Sequence, residues 1–162
     1  TREWYLERIE AIHKIIPDCA VSTDIISGFC AETDEEHEDT LSLMDIVAFD
    51  FAYMFKYSER PKTLAERKFE DDVPEAVKSK RLTEIIEKQL SYSLASNKER
   101  IGKTEKVLIE GISKRSEEHM SGRTGRNSMV VFPKGNFKKG DYINVKILDC
   151  TSATLLGEAV EH

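Results

Sequence analysis

The chain has 162 residues, 40% apolar and 33% charged, which is enough apolar surface for one large or two small packed domains and excludes a disordered chain. Its net charge of −6 is uneven: residues 1–96 carry 12 Lys and Arg against 21 Asp and Glu, and residues 97–160 carry 12 against eight, so an acidic piece joined to a basic one is expected, the basic one being the candidate for a polyanionic partner. No apolar run approaches the roughly 20 residues of a bilayer span and the first residues lack a signal-peptide core, which excludes a helical membrane protein and points to a soluble cytoplasmic one.

Trp4, Leu6, Ile9, Ile12, Ile15 and Ile16 recur mostly three residues apart between charged residues, which predicts an amphipathic helix over residues 3–16, ended by Pro17 and Asp18. The chain begins on Thr inside that helix, which reads as a piece of a longer protein, with Glu161 and His162 as a tag remnant. His13 has no Cys, His or carboxylate spaced around it for metal binding and reads as a helix-end histidine. Residues 20–26 form a short apolar strand carrying Asp24, a carboxylate costly to bury without a partner. Gly28 marks a turn, and Thr33 or Asp34 caps an acidic helix over residues 34–47 that is expected to bury Leu41, Leu43, Met44 and Val47 and to leave His37 in solvent.

Phe49, Phe51, Tyr53, Phe55 and Tyr57 then alternate with Asp50, Ala52, Met54 and Lys56, the period of a half-buried strand, and Pro61 stops it. Strand, glycine turn, helix and strand make a βαβ unit with a parallel crossover. Ligands of α/β sheets sit outside the carboxyl ends of strands, so the tip bearing Gly28 and Glu32 and the tip bearing Tyr57, Ser58 and Arg60 are expected side by side. After a polar connection, Asp72, Val73, Pro74 and Glu75 read as the start of a long helix with Val77, Leu82, Ile85, Ile86, Leu90 and Leu94 as its buried stripe, running to Ile101 and ended by Gly102. A domain boundary is expected after residue 96.

Beyond Gly102 the helical period gives way to alternating runs at residues 106–110, 128–132, 142–148 and 154–160, separated by glycines, which predicts a small closed antiparallel barrel of the OB type over residues 97–160. Lys114, Arg115, Arg123, Arg126, Lys134, Lys138 and Lys139 fall in its loops and strand ends, with Asn127, Phe132 and Phe137 nearby. That set suits RNA, with phosphates met by Arg and Lys and bases stacked on rings; a solvated charged surface fits the same composition equally well. Cys19, Cys30 and Cys150, 11 and 120 residues apart, suit neither a disulfide framework nor a zinc knuckle, so reduced thiols and no metal site are expected.

The segment Ser22–Thr33 followed by Phe51–Pro61 resembles the C-terminal half of the radical SAM core of methylthiotransferases, and Gly122–Pro133 is similar to the TRAM domain that follows that core. The resemblance covers residues 1–160. It implies an α/β plus all-β chain: the last part of a partial (β/α) barrel over residues 1–96, then an OB-like TRAM barrel over residues 97–160. It implies a bacterial enzyme that replaces the C2–H of an N6-isopentenylated adenosine, next to the anticodon of tRNA, with a methylthio group. The family uses S-adenosylmethionine and two 4Fe–4S clusters, one held by a CxxxCxxC motif and one by three cysteines of an N-terminal domain. Neither cysteine set is present, so no cluster and no methylthiotransferase activity are expected of this chain alone.

Family members read Gly-Phe-Pro-Gly-Glu-Thr at the first tip. Gly28, Phe29, Glu32 and Thr33 match, while Cys30 and Ala31 replace Pro and Gly. At the second tip the pattern Tyr-Ser-x-Arg-Pro-Gly-Thr is matched by Tyr57, Ser58, Arg60, Pro61 and Thr63, with Lys62 in place of Gly, and the Arg60-Pro61 pair favours the tRNA-modifying branch. The resemblance implies that Asp24, Glu32, Ser58 and Arg60, with Gly28, Phe29, Thr33 and Tyr57, line the S-adenosylmethionine end, and that tRNA is the partner of the basic barrel. The alternative is a stand-alone RNA-binding module in which the α/β piece is a scaffold without catalytic activity.

Overall fold

A computed structural model describes residues 1–160; the expected tag remnant, Glu161 and His162, lies outside the described residues. The chain divides into two compact units, one of Thr1–Ala11 and Val21–Tyr92, the other of Ile12–Ala20 and the chain from Ser93 on. Among the described residues, no helix is long and apolar enough to cross a membrane.

The α/β part runs through α1 (Arg2–Ile15), β1 (Ser22–Ser27), α2 (Asp34–Val47), β2 (Phe51–Lys56), α3 (Leu64–Lys68) and α4 (Glu75–Lys98). β1 and β2 pair in parallel, from Ser22 opposite Phe51 to Ser27 opposite Lys56, as a helical crossover requires. The core of the first unit is Ile9, Met44, Val47, Phe49 and Ile85, with Ile25 and Met54 packed against it. The alternation along β2 is real, but its faces are the reverse of a buried aromatic strand. Ala52 is buried, whereas Phe51, Tyr53 and Phe55 are 38%, 58% and 55% exposed. The small residue is the one that lets the helices approach the sheet, so the rings stand on the other side with Ile26 and Asp24, which is exposed and needs no buried partner.

The core-facing stripe of α4 also differs from the apolar one expected. Lys78, Arg81, Ile85 and Gln89, spaced three, four and four apart, are its buried residues, while Leu90 is exposed. Gln89 belongs there because its amide donates to the Phe49 carbonyl at 2.7 Å. His37, expected in solvent, is buried against Glu84, with 2.7 Å between His37 Nε2 and the carboxylate.

In the second unit β3 (Thr104–Ser113), β4 (Ser116–Thr124), β5 (Met129–Pro133), β6 (Tyr142–Cys150) and β7 (Leu155–Ala159) close a barrel in the order β3-β4-β5-β7-β6. β5 and β7 are parallel and the other pairs antiparallel. Its interior is filled by Val107, Ile109, Met120, Val130, Phe132, Val145, Ile147 and Leu155. Each such side chain contributes about 1.5–3 kcal/mol by leaving water. β4 is a strand that hydropathy does not announce, because its inward positions are Met120, Gly122 and Thr124. Gly122 is required there by close approach: a Cβ would overlap the Leu108 carbonyl across the ladder.

Candidate functional site

The two strand tips of the first unit meet. Ser27 lies opposite Lys56, the Tyr57 N–H donates to the Ser27 carbonyl at 2.8 Å, and the rings of Phe29 and Tyr57 meet edge to face with centroids 4.9 Å apart. The turn after β1 begins at Gly28, whose φ of +73° strains any residue with a side chain and whose missing Cβ leaves room for the Lys78 stem. The Gly28 N–H donates to Glu32 Oε2 at 2.9 Å, and the Ala31 N–H to Asp72 Oδ1 at 2.7 Å. Asp72 is therefore spent on the loop rather than on capping α4. Ala31 and Lys62, the residues that stand where the family pattern has Gly, have φ of +63° and +70°. The left-handed conformation costs a residue with a Cβ about 1–2 kcal/mol. Both loops thus keep the path that glycine would take without strain.

Two buried cations of α4 organise these tips. Arg81 Nη1 donates to Glu32 Oε1 at 2.8 Å and to the Glu32 carbonyl at 3.0 Å, and Nη2 to Asp34 Oδ1 at 2.8 Å. Burial works to lower the Arg81 pKa, but Asp34 and Glu32 outweigh it and the guanidinium is held above its ordinary value. Asp34 in turn is held below the usual carboxylate range, chiefly by the hydrogen bond from Arg81. Lys78 Nζ donates to both oxygens of Asp71, at 2.5 and 2.6 Å, and lies 5.2 Å from the centre of the Tyr57 ring. Neither cation stands out in the sequence, where each reads as one more charge on a helix surface. The signal that marks them is their spacing of seven and four residues from Ile85 on the same face.

Each residue assigned to the S-adenosylmethionine end has a definite place. Both Glu32 oxygens are engaged, one by Gly28 and one by Arg81. Thr33 is the N-cap of α2 in a capping box: its hydroxyl accepts from the Glu36 N–H, and Glu36 Oε2 accepts from the Thr33 N–H. Ser58 and Arg60 are exposed, and the Arg60 guanidinium has no ion-pair partner among the described residues. Ser27 Oγ is buried without a hydrogen-bond partner among the described residues, and the Tyr57 hydroxyl is buried beside the Cys30 thiol. Burial first, and then the neighbouring Cys30 thiol, pushes the Tyr57 pKa up to about 12, so the phenol keeps its proton. Among the described residues, no group of three or more His, Cys, Asp or Glu side chains is placed to hold a metal ion.

On the barrel, a groove of about 850 Å³ lies on the outward side of β4, β5 and β7 beside the β3–β4 hairpin, with Met129, Val131 and Leu156 in its lining. Lys114 and Arg115 form the hairpin turn at its rim, exposed and without an ion-pair partner among the described residues. Arg123 also lines it, its Nε 3.6 Å from Glu110 and its Nη1 donating to the Asn127 carbonyl at 2.8 Å. Asn127 itself has φ of +61° and serves the β4–β5 turn. Lys134, Lys138 and Lys139 are exposed but do not line this groove.

Besides Asn127, two residues expected at the RNA interface are spent elsewhere. Phe132 is fully buried, edge to face with Phe137 at 6.3 Å, and has no face to offer a base, because it is an inward position of β5. Arg126 Nη1 donates to the Asp18 carbonyl at 2.7 Å and to Asp18 Oδ1 at 3.1 Å, and its side chain is only 15% exposed. Arg100 holds the same carboxylate and is the main reason that Asp18 stays below the usual carboxylate range. Arg126 is thus a structural arginine.

Residues 98–160 match the TRAM domain family. The whole chain is 56% identical over 160 residues to a tRNA-2-methylthio-N(6)-dimethylallyladenosine synthase of Phocaeicola vulgatus, covering 99% of this chain and 35% of that protein. A protein of the same name from Porphyromonas gingivalis is 56% identical over 161 residues, covering 99% and 35%, and one from Amoebophilus asiaticus 54% over 158 residues, covering 97% and 32%. The chain spans about a third of the length of the curated relatives it matches. Over nearly all of its own length, ending in a TRAM domain, it is therefore similar to the C-terminal region of tRNA-2-methylthio-N(6)-dimethylallyladenosine synthases.

Proposed function

We propose that the chain is part of a tRNA methylthiotransferase, acting in the cytoplasm, in which residues 97–160 hold the tRNA and residues 1–96 are the last part of a radical SAM barrel. The observation that carries the RNA half is the groove rimmed by Lys114 and Arg115, two cations without an ion-pair partner among the described residues, with Met129, Val131 and Leu156 as an apolar floor on which bases can lie. Lys134, Lys138, Lys139 and Arg123 add positive charge to the same small barrel, while Arg126, Asn127 and Phe132 serve its fold.

The strand tips support a cosubstrate site of matching polarity. S-adenosylmethionine carries a carboxylate and ribose hydroxyls, and the exposed Arg60 guanidinium and Ser58 hydroxyl suit those groups. Phe29 borders this end, Asp24 lies three residues before the tip on the exposed face of β1, and Gly28, Glu32 and Thr33 position the loop rather than meet the ligand. When bound, S-adenosylmethionine supplies the radical that opens the reaction. The described residues offer no ligand set for an iron–sulfur cluster, and no step is assigned to one in this chain.

The charge-reversing pair Lys114→Glu and Arg115→Glu is expected to weaken binding of a tRNA transcript to the full chain about tenfold or more at moderate salt, uniformly across tRNA sequences. Native affinity in the double variant removes the hairpin rim from the interface.

A further inference from the structure

We propose that the outward face of β3 and β6 carries a second RNA subsite, in which an unpaired nucleobase stacks on Tyr142; this rests on the RNA reading of the barrel. Tyr142 is 63% exposed at the start of β6, on the side of the strand away from the core residues Val145 and Ile147. At that exposure the ring has surface open to a ligand. Lys106 on β3, two residues before Leu108, the cross-strand partner of Tyr142, holds its ammonium 4.9 Å from the ring centre. A cation over an aromatic face is an arrangement that suits nucleotides: the ring takes the base and the ammonium takes the phosphate.

The surroundings fit that ligand. A cavity of about 550 Å³ is lined by Lys106, Phe137, Tyr142, Ile143, Asn144 and Val160, and it shares no residue with the groove beside the β3–β4 hairpin. That volume lies in the range of small-ligand sites and accommodates a base with its ribose. Its wall is fixed, because Phe137 packs on Phe132 in the core and on Gly135. Lys138 and Lys139 are exposed in the turn that leads into β6, and the one carboxylate of that turn, Asp141, accepts the Lys138 N–H at 2.8 Å. Positive charge around a single ring selects a polyanion with flat bases over an apolar protein surface. Stacking needs a base outside a duplex, so the ligand is unpaired RNA.

The test titrates the full chain with a 12-nucleotide oligoadenylate and with a 12-base-pair RNA duplex. Tyr142→Ala is expected to weaken single-strand binding roughly five- to 100-fold and leave duplex binding within about twofold, and Tyr142→Phe, which keeps the ring, to bind both as the native chain does. Circular dichroism melts of both variants matching the native curve confirm an intact barrel, as expected for an exposed position. Unchanged single-strand affinity in Tyr142→Ala, an equal loss on both RNAs, or an equal loss in Tyr142→Phe overturns the stacking site while leaving the RNA reading in place. A native chain that binds neither RNA in a salt-dependent way overturns both.

Discussion

Arg81→Ala is expected to remove about 3–5 kcal/mol from the unit built on β1 and β2, the range for breaking one side of a buried ion pair, with the lower end favoured. The arginine side chain is 6% exposed and its partner Glu32 is 15% exposed, so the variant strands a carboxylate that also anchors the Gly28 N–H. Its second arm, to the 95% exposed Asp34, adds little. The loss should appear in urea unfolding followed by Trp4, the single tryptophan, which lies in that unit. Arg81→Lys recovers only part of it, since a lysine cannot bridge Glu32 and Asp34 in fork geometry. A loss below about 1 kcal/mol would mean that Glu32 finds water, and that the Gly28 loop does not depend on α4.

Phe132→Ala is expected to cost about 3–5 kcal/mol, measured as lost amide-exchange protection of Val107, Val145 and Ile147 in the barrel, because it opens a cavity at a fully buried position. The same variant separates two roles for this ring. A base-stacking Phe132 would lose RNA affinity at unchanged stability; a core Phe132 loses stability first, and RNA binding only where the barrel unfolds. Tyr142 is its opposite: it is exposed, and its replacement is expected to leave stability nearly unchanged.

What could be read from residue types alone follows a physical line. The parallel βαβ unit and the meeting of its two tips follow from periodicity and from the crossover rule, and Ser27 opposite Lys56 agrees with them. The core-facing side of α4 is not visible to hydropathy because it uses Lys78, Arg81 and Gln89, residues that hydropathy assigns to water and that are met here by Asp71 from the segment just before the helix and by Glu32 and the Phe49 carbonyl from distant parts of the chain. The exposure of the aromatic face of β2 is not legible for the complementary reason: alternation reveals two faces but does not say which one the helices cover. β4 carries no hydropathy signal because a barrel wall that passes close to its neighbour needs Gly122, not a large apolar residue. The basic residues form a recognisable set in the sequence, but their fates diverge through contacts that composition cannot express: Arg126 is tied to Asp18, and Lys114 and Arg115 have no ion-pair partner among the described residues.

In the proposed function the barrel meets RNA through its phosphates. Titrating the native chain with an unmodified tRNA transcript between about 50 and 200 mM salt tests it directly, and log K should fall linearly with log salt with a slope of about −3 or steeper, the release of counterions from several phosphates. An affinity that does not change across that range would contradict it.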